Sequence, residues 1–226
     1  RPALSIAAVE PLQPAARGAD QQIRPDLAVN VDTREQAAAA LAAGADWLIV
    51  SGERFHGGLY DRADYAELLA MARKSEAKVM FSLPRIIRES RFSEVAGRLA
   101  WFAELQPDAV GVANLSALAQ VRQFPQLQIH ADYPMHFYNS EALAYVRDQG
   151  VVSATLSPEL TLQQVQALGQ KGILLAECLV HGRITLMVSE FCVIGAYLGC
   201  KGRQSGGGVC QSGSFVLHDR KGESFP

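Results

Sequence analysis

Short apolar runs alternate with longer amphipathic stretches along most of the chain. Runs of strand length stand at Leu27–Val31, Trp47–Val50, Lys78–Leu83, Ala109–Val112, Leu127–His130, Val151–Leu156 and Ile173–Glu177. Helical spacing or helix caps mark the stretches between them: residues 34–44, 64–74 and 92–105, and helices led by Ser116, Asn139 or Ser140, and Thr161. Almost wholly apolar strands are typical of a parallel sheet that is covered on both faces. The pattern therefore predicts about seven βα units.

Alternating β and α units build a parallel sheet that is either closed as a barrel or open and doubly wound. No GxGxxG sequence follows a predicted strand, which weakens the dinucleotide-binding version. We therefore predict an α/β fold, a (β/α) TIM-type barrel over residues 26–183, complete or short of one N-terminal strand. Residues 1–25 are predicted as a linker or partial element. Residues 184–226 are predicted as a Cys/Gly-rich extension and the start of a small β element.

Composition narrows the class of protein. Hydrophobic residues make up 49% and charged residues 19%, as in ordinary globular domains, and the net charge of −2 gives no global basic field for nucleic acid. No apolar run reaches the roughly 18 residues that span a bilayer, and the N-terminus lacks the pattern of a secretion signal. We therefore expect a cytoplasmic protein. Both ends look cut from a longer chain, so flanking domains or a partner subunit are expected.

Cysteine is concentrated in one segment. All four cysteines, Cys178, Cys192, Cys200 and Cys210, lie between Glu177 and Cys210, together with six glycines from Gly195 to Gly208. Four thiolates can hold a [4Fe–4S] cluster or a tetrahedral zinc ion, and the loose spacing leaves both open. Cys178 ends a predicted strand, so a small buried hydrophobe is an equally simple interpretation of that residue.

Polar residues follow several predicted strands, and catalytic groups of barrels lie at the C-terminal ends of strands. The candidates are Ser51, Glu53, Ser82, Arg85, Asn114, His130, Asp132, Ser157, Glu159, Glu177 and His181. Glu177 ends an apolar run, so its carboxylate needs a partner, which His181 or Arg183 can supply. We predict catalytic roles for Glu177, His181 and Arg183, facing Glu159. For each, a helix cap, a loop residue or a structural ion pair is the competing interpretation.

Three segments resemble the collagenase-like peptidases of unassigned mechanism, in particular their long branch: YNSEAL, LSPELTL, and ECLVHGRITLMVSEFC with the tail CQSGSFVLHDRKGESFP. The resemblance is specific around Glu177–Cys210 and implies a barrel-like catalytic domain of a bacterial cytoplasmic protein. It implies peptidase activity by name, while several relatives are iron–sulfur proteins that support oxygen-independent hydroxylation of RNA bases or a quinone precursor. The substrate is accordingly protein or RNA, with Glu159, Asp132 and Asn114 as substrate-binding candidates and no membrane involved.

The chain departs from that family pattern at two positions. Thr185 stands where a cysteine is expected and Glu190 where a glycine is expected, so Cys178 or Cys200 would have to complete a site built on Cys192 and Cys210. The family pattern also leaves open a last cysteine ligand downstream of Pro226. No thiol-protease signature, GxSxG or HExxH occurs. Three hypotheses remain: a peptidase carrying a cysteine-ligated centre, an iron–sulfur hydroxylation protein, and a non-enzymatic module stabilised by zinc.

Overall fold

The structure is a computed structural model that describes residues 24–52, 60–185, 188, 191, 193–198 and 216–225. The chain divides into two compact units. Among the described residues, the first unit contains 24–52 and Asp61–Val180, and the second contains Tyr60 and the residues from His181 onward.

The first unit is built on a seven-stranded parallel sheet whose strands follow one another in chain order. The strands are β1 (Ala28–Val31), β2 (Trp47–Val50), β3 (Lys78–Ser82), β4 (Ala109–Val112), β5 (Ile129–Ala131), β6 (Val151–Thr155) and β7 (Leu175–Glu177). Sequential order with a helix between every two neighbouring strands makes a curled half-barrel and confirms the predicted α/β, TIM-type fold.

In the described part of the first unit, six α-helices connect these strands: α1 (Arg34–Ala42), α2 (Arg62–Lys74), α3 (Phe92–Leu105), α4 (Leu115–Val121), α5 (Ser140–Asp148) and α6 (Leu162–Lys171). Short 3-10 turns cover Glu89–Arg91 and Tyr133–Met135. Side-chain caps fix several helix starts, as at Thr33, Asp61, Asn139 and Thr161. The helix expected after Ser116 begins one residue earlier, because Asn114 is the residue that caps it.

Two strands begin two residues after the start of their apolar runs. Leu127 is held in a turn by a hydrogen bond from its N–H to the Phe124 carbonyl, so β5 begins at Ile129. Gly172 ends α6 in the left-handed conformation with φ +58°, and β7 begins only at Leu175. Hydrophobicity alone does not distinguish a strand from the residues that lead into it, because both are apolar.

One face of the sheet packs on the helices. Phe81 of β3 contacts Tyr65 of α2 and Phe102 of α3, with ring centroids 4.7 and 5.0 Å away. Alternate residues of a strand point to opposite faces, so Met80 and Ser82 lie on the other, concave face. Strand register carries this assignment across the sheet and places Gly111, His130, Ser153, Thr155, Leu175 and Glu177 on the concave face.

The concave face changes character from one side of the sheet to the other. Ile49, Met80 and Ala109 form a buried apolar cluster on β2–β4. On β5–β7 the same face carries His130, Thr155 and Glu177 instead. A parallel sheet brings these carboxyl-terminal strand positions to one edge, which is where active sites of (β/α) barrels lie.

The second unit contains, in its described part, a short helix α7 (Val193–Leu198) and an antiparallel pair of strands, β8 (Leu217–His218) and β9 (Ser224–Phe225). Asp219 closes the hairpin, because its side chain accepts hydrogen bonds from the N–H groups of Lys221 and Glu223 at 2.8 and 2.9 Å.

Candidate functional site

A continuous hydrogen-bonded chain of side chains crosses three neighbouring strands. Nδ1 of His130 on β5 lies 2.8 Å from Oγ of Ser153 on β6, and its Nε2 lies 2.8 Å from Oγ1 of Thr155. The Thr155 hydroxyl in turn donates to Oε1 of Glu177 on β7 at 3.0 Å. We call Ser153, His130, Thr155, Glu177 and the neighbouring Asp132 the acid cluster.

The direction of each hydrogen bond follows from donor counting. An ionised Glu177 only accepts hydrogen bonds, so the Thr155 hydroxyl donates its single proton to Glu177. The Thr155 oxygen must then accept from Nε2–H of His130, which leaves Nδ1 to accept from the Ser153 hydroxyl. A neutral imidazole with its proton on Nε2 satisfies every group of this chain.

Burial keeps His130 neutral. Its side chain is only 2% exposed, and desolvation lowers the pKa of the imidazole from 6.5 to about 4. The residue opposite it on β4 is Gly111, where an added Cβ would lie 2.7 Å from Oγ of Ser82. The sheet thus holds a buried, uncharged histidine behind the two carboxyl groups.

Both carboxyl groups of the cluster are shifted toward the protonated form. Desolvation raises the pKa of Asp132, and the Tyr133 N–H, the Arg85 charge and the Thr155 hydroxyl offset part of that rise. Desolvation also raises the pKa of Glu177; Thr155 opposes the rise, while the Asp132 charge adds to it. Two desolvated carboxyls, in which the Asp132 charge further discourages ionisation of Glu177, are suited to hold and exchange a proton.

Two other predicted substrate-binding residues have structural partners. Asn114 caps α4 by accepting from the N–H of Ala117 at 2.8 Å, and its amide donates to the Arg85 carbonyl at 2.9 Å. It therefore ties the loop after β3 to α4. Glu159 accepts a hydrogen bond from the Tyr138 hydroxyl at 2.8 Å, which joins the loop after β6 to the loop after β5.

The predicted catalytic trio is divided between the units. Glu177 belongs to the first unit, where Thr155 is its hydrogen-bond partner. His181 and Arg183 are exposed residues of the second unit. Their predicted catalytic roles stay predictions.

The expectation that Cys178 packs as a small buried hydrophobe is wrong, because the residue is exposed beside Glu177 at the end of β7. Desolvation, and then the charge of Glu177, raises the pKa of its thiol. Cys192, Cys200 and Cys210 lie outside the described residues, so the predicted metal site stays a prediction. Within the described ranges, no three His, Cys, Asp or Glu side chains are grouped as metal ligands.

Ser153 and Thr155 were not among the sequence candidates, although they link the cluster. A signal for them was present: both are polar and stand two positions apart in the otherwise apolar run VVSATL, and that spacing places two side chains on one strand face. The described part of the chain contains no helix that is long and apolar enough to cross a membrane.

Comparison with solved structures supports the fold. The structure of a U32 peptidase superposes with a TM-score of 0.58 at 12% sequence identity, covering 73% of this chain and 72% of that one. At this identity the likeness shows a shared fold alone.

Two characterised relatives align with most of the chain. The 23S rRNA 5-hydroxycytidine C2501 synthase of Escherichia coli (strain K12) is 24% identical over 81% of this chain. The tRNA hydroxylation protein P1 of Bacillus subtilis (strain 168) is 21% identical over 84% of it. The chain spans only 28% and 46% of the lengths of these relatives. The family model for peptidase family U32 matches residues 32–213, and the chain belongs to that family.

Proposed function

We propose that this chain carries the catalytic half-barrel of an enzyme that hydroxylates a base in RNA. The observation that carries the proposal is the acid cluster, a pair of partly desolvated carboxyl groups at the carboxyl-terminal edge of the sheet. Two relatives that align with most of the chain are named for RNA hydroxylation, which supports RNA as the substrate class. The names of these relatives do not say which residues act, and we assign that role to residues of the acid cluster.

The cluster suits the edge of a nucleobase. Bases present carbonyl oxygens, ring nitrogens and amino groups, which need both donors and acceptors. When one of the two carboxyls is protonated, Asp132 and Glu177 provide one donor and one acceptor, and their raised pKa values bring that protonation closer to neutral pH. Thr155 and His130 fix the orientation of Glu177 from behind. We assign proton transfer to and from the base to the two carboxyls.

Replacing a ring C–H by C–OH with water as the oxygen source releases two protons and two electrons, so the reaction requires an electron acceptor. We propose a [4Fe–4S] cluster on Cys192, Cys200 and Cys210, which when bound would pass those electrons one at a time to an external redox partner; zinc on the same cysteines is the non-redox alternative. Cys178 is the weakest candidate for the fourth thiolate, because its surroundings raise the pKa of its thiol.

A peptidase is the second candidate. The same pair of carboxyls favours it, because two acids that share a proton can activate water against a peptide carbonyl. Both candidate functions use Asp132 and Glu177 for proton transfer, but RNA hydroxylation and peptide hydrolysis give different products.

The test compares products. The chain is expressed in a bacterial host that lacks its own RNA hydroxylation proteins, and digested RNA is analysed by mass spectrometry for a nucleoside heavier by one oxygen. We expect that nucleoside with the wild type, its loss with Glu177→Gln, and no loss with the control Glu141→Gln, an exposed carboxylate on α5.

The purified protein is assayed in parallel for cleavage of gelatin and labelled peptides. Peptide cleavage that Glu177→Gln abolishes, without any hydroxylated nucleoside, would replace the RNA proposal by the peptidase. A hydroxylated nucleoside that persists in Glu177→Gln would remove the acid cluster from the mechanism.

A further inference from the structure

Two aromatic rings are stacked in parallel in the loop that joins β5 to α5. The rings of His136 and Tyr138 are parallel within 2°, with centroids 6.2 Å apart. Both residues are exposed, and Tyr138 keeps 43% of its surface accessible. We call these two rings the aromatic platform.

The platform is held in place from three directions. Phe137, between the two residues, is only 2% exposed and anchors the loop in the core. The Tyr138 hydroxyl donates to Oε2 of Glu159 at 2.8 Å. The loop starts at Asp132, whose side chain accepts from the N–H of Tyr133 at 2.7 Å. Rings that are already ordered lose little conformational entropy when a ligand stacks on them.

The platform belongs to the same edge of the sheet as the acid cluster. Its loop begins at Asp132, a member of that cluster, immediately after β5. Its tether, Glu159, lies in the loop that leaves β6 just beyond Thr155. The carboxyl-terminal ends of parallel neighbours meet at one edge, so the platform and the two carboxyls lie at the same end of the sheet.

We propose that His136 and Tyr138 form a stacking surface for an unpaired base of the RNA substrate. This inference rests on the proposed function and adds to it the residues that hold the base. Proteins read single-stranded RNA by stacking splayed bases on aromatic side chains.

Charge argues for the base rather than the phosphate as the group that is bound. The chain has a net charge of −2, and a carboxylate, Glu159, is hydrogen-bonded to the platform itself. Phosphate contacts would make binding steeply dependent on salt, whereas stacking does not. We therefore expect binding to single-stranded RNA with a shallow dependence on salt concentration.

The test is fluorescence anisotropy of a labelled oligocytidylate, with inorganic polyphosphate as competitor. Stacking on one aromatic side chain supports about a tenfold change in Kd. We expect Tyr138→Ala and His136→Ala each to weaken Kd by about that factor, and Tyr138→Phe, which keeps the ring, to retain most of the affinity. Tyr145→Ala is the matched control, because Tyr145 is 56% exposed but lies on α5. Circular dichroism confirms that each variant is folded.

Unchanged affinity in both platform alanine variants, or competition by polyphosphate as strong as by unlabelled oligocytidylate, would overturn the inference. Binding of a proline-rich peptide instead, lost in the same variants, would assign the platform to a peptide substrate. The anisotropy assay measures binding and the nucleoside assay measures product. A hydroxylated nucleoside with a platform that binds no base would therefore refute the inference and leave the proposed function standing.

Discussion

Protonation of His130 should govern the loss of stability of this protein in mild acid. The folded imidazole has a pKa of about 4 against 6.5 for an exposed one. Between those values the unfolded chain binds the proton and the folded chain does not, so stability rises with pH. The contribution is complete above pH 6.5, decreases as pH falls, and is lost once pH is below the folded pKa of about 4.

The size of the effect follows from the shift. A depression from 6.5 to about 4 is worth about 3 kcal/mol of folding free energy, of which about 2 kcal/mol should disappear between pH 7 and pH 5. The raised pKa values of Asp132 and Glu177 act in the opposite direction, because the folded state then holds protons that the unfolded state releases. The pH dependence of the unfolding free energy of the wild type therefore combines two contributions of opposite sign.

A comparison with His130→Gln separates them. Glutamine can still donate to Thr155 but does not titrate, so the variant keeps both carboxyls and loses the histidine term. Urea unfolding is followed by fluorescence of Trp47 and Trp101 from pH 7 to pH 5. The wild type should lose about 2 kcal/mol more than the variant over this range. Equal losses in both proteins, or an NMR titration of His130 near its ordinary pKa, would refute the reasoning.

Three further changes test other parts of the structure. Gly52→Ala should destabilise the fold by about 1–3 kcal/mol in urea unfolding, because its Cβ would lie 2.3 Å from the Leu83 carbonyl carbon; the control Gly97→Ala, with open space around an exposed helical position, should be neutral or stabilising, and equal effects would contradict the packing. Thr155→Val removes the hydroxyl that lowers the pKa of both Asp132 and Glu177, so the pH dependence of product formation should move to higher pH; an unmoved profile would mean that Thr155 does not set those values. Cys192→Ala should lose iron and acid-labile sulfide after anaerobic purification while Cys178→Ala keeps most of both, and full iron in Cys192→Ala would refute the cluster.

Local signals in the sequence were sufficient for the elements of the fold. The apolar run Trp47–Val50 and the amphipathic stretch Phe92–Leu105 are the observed β2 and α3, residue for residue. Strand length, helical spacing and capping residues are properties of neighbouring positions, so they can be read without the fold. The order of βα units then restricts the topology to a parallel sheet.

Which side chains make up the acid cluster depends on the pairing register of β5, β6 and β7. The sequence identified Glu177 and Asp132 at strand ends, but not the hydroxyl of Thr155 that joins Glu177 to His130. That link exists because β5, β6 and β7 pair so that His130 is opposite Ser153 and Thr155 is opposite Glu177. The alternation within one strand shows which of its residues share a face, but which residues they meet on the next strand is decided by pairing between segments that are distant in sequence.

The sequence by itself thus determined the parallel α/β fold, the family resemblance and the polar residues at strand ends, because each depends on residue type and spacing. Only the tertiary structure decided that Asn114 is a helix cap, that Cys178 is exposed, and that His136 and Tyr138 are parallel. Each of these depends on which groups surround a side chain. Burial, partners and orientation are set by packing between distant segments.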